Sequence, residues 1–515
     1  MEYKIYAYNP LGYEGEIVDV EADIRRGIPG FDIVGLPDGA VREARERVRV
    51  AVKNSGFRFP YDRILVNLSP GNIKKEGTSF DLALAVAILR ASGQILNVNA
   101  SAIRRCCILG ELQLSGSVRK VRGVLPAVTA ALSLNIDTVF VPQSNLAEAV
   151  SLRRGRIVGI TSLKEAVHIL ERGEPEKFVS HVTHKKEEEP PFDGDFADIS
   201  GQPVLKRALE IAAAGRHHVF IFGPPGCGKT MAVRRMPSLL TGLSWEQSVE
   251  VTKIYSLAGK LPEEQPLIAF PPMRIPHHSA TMEGIIGGGF SVKPGEASLA
   301  HHGILFLDEA PEFGIHVLQS LREPMEEKKI TIVRAGRAFW FPSKFQLIMT
   351  ANPCPCGNLG REGGICFCSK GELIKYWKRL GSALLDRIDI RVPVKGMTKG
   401  NFFSGNEEKS SVIKSRITKA AAIQEERYKN ESFSRNSDME PGSLIRYSGI
   451  SSGTLSELQE AAEKLKLSFR ACHSIIKIAR TIADLEGEDI LKKDHVYEAV
   501  QHRRYGEEDF FWLKR

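Results

Sequence analysis

One run of the chain carries the residue types of a phosphate cradle. Gly223-Pro224-Pro225-Gly226-Cys227-Gly228-Lys229-Thr230 has the form G-x-x-x-x-G-K-[ST], with the apolar stretch Val219–Phe222 before it and a helical pattern after it. Glycines let backbone N–H groups turn inward around phosphate oxygens, and a helix N-terminus behind them favours negative charge. In that setting Lys229 would reach the β- and γ-phosphates of a nucleotide, and Thr230 would ligate Mg²⁺. A tight glycine turn with no ligand is the plain alternative. Downstream, the apolar stretch Ile304–Leu307 ends in Asp308-Glu309. An acid at a strand end can hold the Mg²⁺ shell, and the adjacent glutamate can polarise a water for in-line attack on the γ-phosphate.

A second constellation is Cys354-x-Cys356 followed by Cys366-x-Cys368, four of the eight cysteines in the chain. Four thiolates can close a tetrahedral structural Zn²⁺ site and leave no open position for catalysis. The C-x-C spacing is tighter than the usual one, and reduced thiols without a metal are the alternative. Three histidine pairs, His217-His218, His277-His278 and His301-His302, also invite a metal reading. Neighbours on a strand point to opposite faces, so packing or hydrogen bonding is expected of them.

The elements that must position these residues come in three blocks. Residues 1–172 alternate strand-like runs (YKIYAYNP, EIVDVEADI, RILVNLSP, TVFVPQ) with helical ones, an α/β pattern. In GAVREARERVRVAVKNSG, Val41, Ala44, Val48 and Ala51 recur at helical spacing. Arg42, Arg45 and Arg49 follow the opposite face, a solvated face or a phosphate-tracking stripe. Residues 173–196 are charged, proline-containing and aperiodic, which predicts a linker. A second α/β block is expected over 197–394, and a helical one over 395–515.

Composition sets the outer bounds. The 515 residues are 43% hydrophobic and 26% charged, which excludes a disordered, collagenous or disulfide-scaffold chain. The net charge of +8 permits a polyanionic partner without demanding one. No basic-then-apolar leader and no membrane-length apolar run is present, and the longest candidate, FDLALAVAIL, contains Asp81. The expectation is a cytosolic multidomain protein.

Further motifs resemble those of AAA+ ATPases. FQLIMTANPCPCG places Asn352 at the end of an apolar strand, similar to sensor 1. LLDRIDI places Arg387 like an arginine finger acting on a neighbour's nucleotide, and LSFRACHS places Arg470 like a sensor 2 arginine. The segments flanking the acidic strand, MRIPHHSATMEGIIGGGFSVKPGEASLAHHG and LREPMEEKKITIVRAGRAFWFPSKFQ, resemble the helix-2 insert and the pre-sensor-1 hairpin of magnesium-chelatase-type AAA+ proteins. With PHHS, NPCPCG and ARTIADLEG, the whole chain resembles the YifB/ComM group of magnesium-chelatase-like ATPases.

The resemblance implies an AAA+ core with a C-terminal helical lid, a homo-oligomeric ring of six, and a motor acting on single-stranded or branched DNA, since the group includes a branch-migration helicase. Arg334 and Arg337 in the hairpin are then the candidate DNA contacts. Remodelling of a polypeptide, as in chelatase motor subunits or Lon-type machines, is the alternative load. GNIKKEGTSFDLALAVAIL and LGELQLSGSVRKVRGVLPAV resemble the Lon protease domain, an S5-type α/β fold. Ser79 falls at the nucleophile position, but the position of the lysine base falls on Leu125, so a proteolytically inactive scaffold is expected, with Ser79 as a helix cap or turn residue.

Overall fold

The structure, a computed structural model, describes residues 4–95, 105–172, 194–262, 265–334, 336–361, 363–395, 407–503 and 505. The linker expected over 173–196 lies outside the described residues as far as residue 193, and so does most of the polar stretch after Lys395.

The N-terminal block is built on a seven-stranded mixed sheet in the order Gly30–Val34, Arg63–Ser69, Glu16–Arg25, Lys4–Asn9, Arg105–Ile108, Thr138–Pro142, Arg156–Ile160. Lys4–Asn9 pairs antiparallel with Glu16–Arg25 and parallel with Arg105–Ile108. Helix Gly39–Asn54 starts on Asp38, whose carboxylate accepts the Val41 N–H at 2.8 Å, and it buries Val41, Ala44, Val48, Ala51 and Val52 against the sheet. On its outer face Arg45 donates to the Arg42 and Phe31 carbonyls, and Arg49 lies over Phe59. Helix Asp81–Ala91 is apolar all round because it is buried all round. Asp81 is tolerated there through Arg47, at 2.9 Å, and the Leu112 N–H. No helix among the described residues is long and apolar enough to cross a membrane.

The second block holds a five-stranded, all-parallel sheet in the order Met273–Arg274, Ile304–Leu307, Gln346–Ala351, Val219–Phe222, Ile390–Pro393. Parallel strands buried on both faces read as continuous apolar runs, as ILFL and VFIF do. The three central strands lie side by side, with Phe222 opposite Ala351 and Leu307 opposite Met349. The residues that follow them, Gly223, Asp308 and Asn352, therefore leave at one edge, where α/β sheets bind ligands.

The C-terminal block is helical: Ser410–Arg427, Ser452–Leu465, Phe469–Glu486 and Lys493–Arg503. Ile413, Ile417, Ile475 and Ile482 share one apolar cluster with Leu209, Ile221 and Ile390 of the parallel-sheet block. Arg480 of the ARTIADLEG motif is 1% exposed and pairs with the buried Asp484, which also takes Arg427 and the Asn436 amide. A buried ion pair with its remaining positions satisfied fixes the lid's internal packing.

Helix Trp245–Ala258 joins the N-terminal block to the parallel sheet. Its Val249 and Trp245 pack with Val124, Val128 and Leu125. The Ser256 hydroxyl donates to Glu148, and the Ser256 carbonyl accepts the Gly123 N–H at 3.2 Å. Glu250 of the same helix receives His301 and His302, the residues just before strand Ile304–Leu307.

Candidate nucleotide site and its neighbours

The phosphate loop leaves strand Val219–Phe222 and enters helix Lys229–Arg234. A Cβ on Gly223 would stand 2.2 Å from the Val394 carbonyl oxygen, so only glycine fits there. Gly226 and Gly228 have φ of +78° and +83°, the left-handed conformation that turns successive N–H groups into one concavity. Lys229 is 7% exposed. Its Nζ donates to the Gly223 and Pro224 carbonyls at 2.7 and 2.9 Å and to Asn352 Oδ1 at 3.2 Å. Burial pushes its ammonium below the ordinary lysine value, against the pull of Cys227, Asp308 and Glu309. The Cys227 thiol points back to the Pro224 carbonyl.

Facing the loop, Asp308 accepts the Thr230 hydroxyl at 3.0 and 3.1 Å and the Thr350 hydroxyl at 2.5 Å. The Thr350 oxygen in turn accepts the Glu309 N–H at 3.0 Å, which holds Glu309 in the left-handed region at φ +52°. Asn352 donates its amide to Glu309 Oε1 at 3.2 Å. A cavity of about 330 Å³ is lined by these groups, with loop backbone on one side and carboxylates on the other. Its donor set fits a phosphate chain and a hard, oxygen-ligated cation, with Thr230 and Asp308 as the ligating oxygens.

Thr350 was not singled out by the sequence reading. The signal was available: residues 350 and 352 share a strand face, so the polar partner of Asn352 had to aim at the same cavity.

Arg387 and Arg470 are not in this cavity. They meet elsewhere, on Glu326 at the end of helix Arg322–Glu327: Arg387 binds its carboxylate at 2.8 Å, and Arg470 binds the same oxygen. Arg470 also lies 3.8 Å from Asp386. Burial pushes Glu326 upward, but the two guanidiniums hold its carboxyl below the usual glutamate value. Both arginines line a cavity of about 390 Å³ between the parallel-sheet block and the helical block. A sensor 2 role for Arg470 at its own chain's phosphate loop does not match this position.

The four cysteines converge. A turn closed by the Gly357 N–H on the Cys354 carbonyl brings Cys354 and Cys356 Sγ to 3.3 Å, which offsets their tight spacing. Cys366 stands 3.6 and 3.7 Å from them, and all four sulfurs lie within 4.8 Å of one another. A tetrahedron with metal–sulfur bonds near 2.3 Å has edges of about 3.8 Å, so the set fits zinc. The cluster begins two residues after Asn352, and a Cβ on Gly357 would meet Pro225 of the phosphate loop at 3.2 Å.

The histidine pairs behave differently from one another. His217 reaches Thr481 at 2.8 Å, and His218 Nδ1 accepts the Leu347 N–H at 2.9 Å. His301 and His302 both turn Nε2 onto Glu250 Oε2, at 3.1 and 2.8 Å. Opposite-face geometry was expected of this pair. It fails because the segment is a turn, with His302 at φ +55°. His301 Nδ1 accepts the Lys344 N–H at 2.9 Å, so its proton sits on Nε2 and is given to Glu250; that nitrogen has no lone pair for a metal.

The arginines of the hairpin Lys329–Arg334 and Arg337–Pro342 face each other across its end. The hairpin leans on the N-terminal block: Arg337 donates to the Asn72 carbonyl, the Tyr13 N–H to the Trp340 carbonyl at 3.1 Å, and the two rings lie 5.2 Å apart. In the Lon-like part, helix Asp81–Ala91 starts after Phe80, so Ser79 is not its cap; it lies in the preceding turn, where its carbonyl accepts the Gly110 N–H. Leu125 is fully buried, with its N–H on Glu148.

Comparison with known proteins completes the picture. The family described as "Magnesium chelatase, subunit ChlI" matches residues 195–402, its C-terminal family matches 407–503, and "Subunit ChlI of Mg-chelatase" matches 20–145. The competence protein ComM of Haemophilus influenzae is 37% identical over 510 residues, covering 97% of each chain. The chain belongs to the YifB/ComM group of magnesium-chelatase-like AAA+ proteins. YifB of Escherichia coli, an uncharacterised member, is 36% identical over 504 residues, 96% of this chain and 95% of its own. A Lon protease of Geobacter metallireducens is 26% identical over 148 residues, 27% of this chain and 17% of the protease. Membership of the YifB/ComM group supports an ATPase that uses ATP and Mg²⁺.

Proposed function

We propose that this YifB/ComM-group chain is the subunit of an ATP-driven ring, a hexamer, that moves single-stranded or branched DNA. The observation that carries the reading is the convergence of Lys229, Thr230, Asp308, Glu309 and Asn352 on one cavity at the end of three parallel strands. Lys229 and the loop N–H groups hold the β- and γ-phosphates. Thr230 and Asp308 hold Mg²⁺, which neutralises charge on the phosphates. Glu309 orients the attacking water, and Asn352 reports on the γ-phosphate to both Lys229 and Glu309, because it bonds both.

Arg387 acts on the nucleotide of the next subunit, and Arg470 beside it does the same; in support, both stand together on Glu326 and outside the phosphate-loop cavity of their own chain. Hydrolysis then depends on assembly. The four cysteines hold a structural Zn²⁺ that braces the loop between Asn352 and the helix Lys370–Lys378. The N-terminal block acts as a proteolytically inactive scaffold. The DNA part is supported by the likeness to a competence protein and by the paired arginines at the hairpin end.

The test is the ATP turnover rate alone and with single-stranded, duplex and branched DNA. DNA stimulation with a salt-dependent affinity is expected. A rate that no nucleic acid changes, but that a polypeptide raises, replaces this reading with protein remodelling.

A further inference from the structure

A cavity of about 770 Å³ lies between the N-terminal block and the two inserts that flank the acidic strand. It shares no lining residue with the phosphate-loop cavity. One wall carries Lys74, Lys120 and Arg122 from the N-terminal block, and the other carries Lys293, Arg334 and Arg337 from the inserts. Against these six cations the lining has two carboxylates, Glu76 and Glu111. Glu76 is tied to Lys74 at 3.2 Å, and Glu111 accepts the Thr78 hydroxyl. The walls are held in register by the Arg337 contact to Asn72 and by the Tyr13–Trp340 pair.

Phe290 stands in this basic cavity with 78% of its surface exposed. It follows three glycines, Gly287, Gly288 and Gly289, with φ of +107°, +137° and +91°. Lys74 Nζ lies 4.9 Å from its ring centroid and the Arg334 guanidinium 5.7 Å. A lone exposed phenylalanine needs no explanation. An aromatic face flanked by cations inside a cationic cleft is the pairing that single-stranded nucleic acid uses: phosphates follow the cations and an unstacked base lies on the ring. A small anion or an acidic peptide would engage the cations and leave the ring idle.

We infer that this cleft is a binding site for single-stranded nucleic acid, shared by the Lon-like block and the AAA+ inserts, with Phe290 as the base-stacking platform and Lys74 and Lys120 as backbone contacts. The inference rests on the DNA reading above and extends it to residues of the N-terminal block. The strand it holds would touch both inserts on either side of Asp308, where nucleotide-driven motion would reach it.

The experiment is fluorescence anisotropy on the full-length chain, with ADP and with a non-hydrolysable ATP analogue. The probes are labelled oligothymidylate and an abasic strand of equal charge. Phe290→Ala is expected to weaken oligothymidylate about tenfold and leave the abasic strand unchanged, with Phe290→Tyr restoring the wild-type value. Lys74→Gln with Lys120→Gln should weaken both probes and lower the slope of log affinity against log salt by about 1.4. Wild-type protein that binds neither probe in any nucleotide state removes the DNA reading itself. Wild-type protein that binds both, with a Phe290→Ala variant that changes neither or weakens both equally, overturns the stacking site and leaves the DNA reading standing. Competition by polyglutamate as strong as that by oligothymidylate assigns the cleft to an acidic polypeptide and overturns the inference.

Discussion

Glu326 binds Arg387 at 2.8 Å, and its same carboxylate oxygen takes Arg470. The two guanidiniums proposed to act in trans thus share one carboxylate of their own chain, which offsets one of their two charges. In that role a neighbour's phosphate would compete with Glu326 for them. Glu326→Gln is expected to lower the protein concentration needed for half-maximal ATPase. Arg387→Ala should cut turnover by about 10³ while nucleotide binding is kept. Turnover measured against protein concentration, with binding followed by a fluorescent nucleotide, checks both.

Within the phosphate-loop cavity the roles proposed for Lys229, Glu309 and Thr350 can be separated. Glu309→Gln keeps the hydrogen-bond geometry and removes the charge, so binding should persist while turnover falls by about a hundredfold or more. Lys229→Ala should lose binding itself. Thr350→Val removes the hydroxyl shared by Asp308 and the Glu309 N–H, and should lower turnover without abolishing it. Single-turnover hydrolysis beside equilibrium binding separates the three.

The cysteine cluster predicts about one zinc per chain by elemental analysis. Because its loop runs so close to the phosphate loop that a Cβ on Gly357 would stand 3.2 Å from Pro225, stripping the metal, or replacing Cys366 by Ser, should reduce ATPase as well as the unfolding temperature. Gly357→Ala has both a left-handed backbone, φ +76°, and a 3.2 Å approach against it, and should reproduce part of that loss with zinc still bound.

Acidification should weaken the fold through His301. Burial pushes its pKa from 6.5 down to about 4. The unfolded chain therefore takes up the proton first, and stability present above pH about 6.5 is lost as pH falls through about 4, by something of the order of 3 kcal/mol. His302 is lowered in the same direction by burial. Denaturant unfolding between pH 7 and 4 should show the slope, and His301→Gln should flatten it.

The nucleotide cavity was legible in the sequence because its parts are local. A glycine loop after an apolar strand, an acid pair after another and Asn352 after a third each announce a strand end, and a parallel sheet gathers such ends at one edge. The thiol cluster was legible for the same reason. Glu326 was not: it lies far along the chain from Arg387 and Arg470, and no spacing links a glutamate on a two-turn helix to either. The histidine rule failed at His301-His302 because strand alternation was applied to a turn. The packing of the Lon-like block on the parallel-sheet block was equally hidden, since the helix that makes it has no clear apolar stripe and buries Ser248, Thr252 and Ser256 along with its apolar residues.

That helix, Trp245–Ala258, has a mechanical consequence. It is pinned to the N-terminal block through Ser256 and Val249, and to the root of the acidic strand through Glu250 and the two histidines. A displacement of the acidic strand would therefore be carried to the N-terminal block along this helix, as through a strut. With the helix held by both blocks, the two halves are expected to respond to nucleotide as one beam.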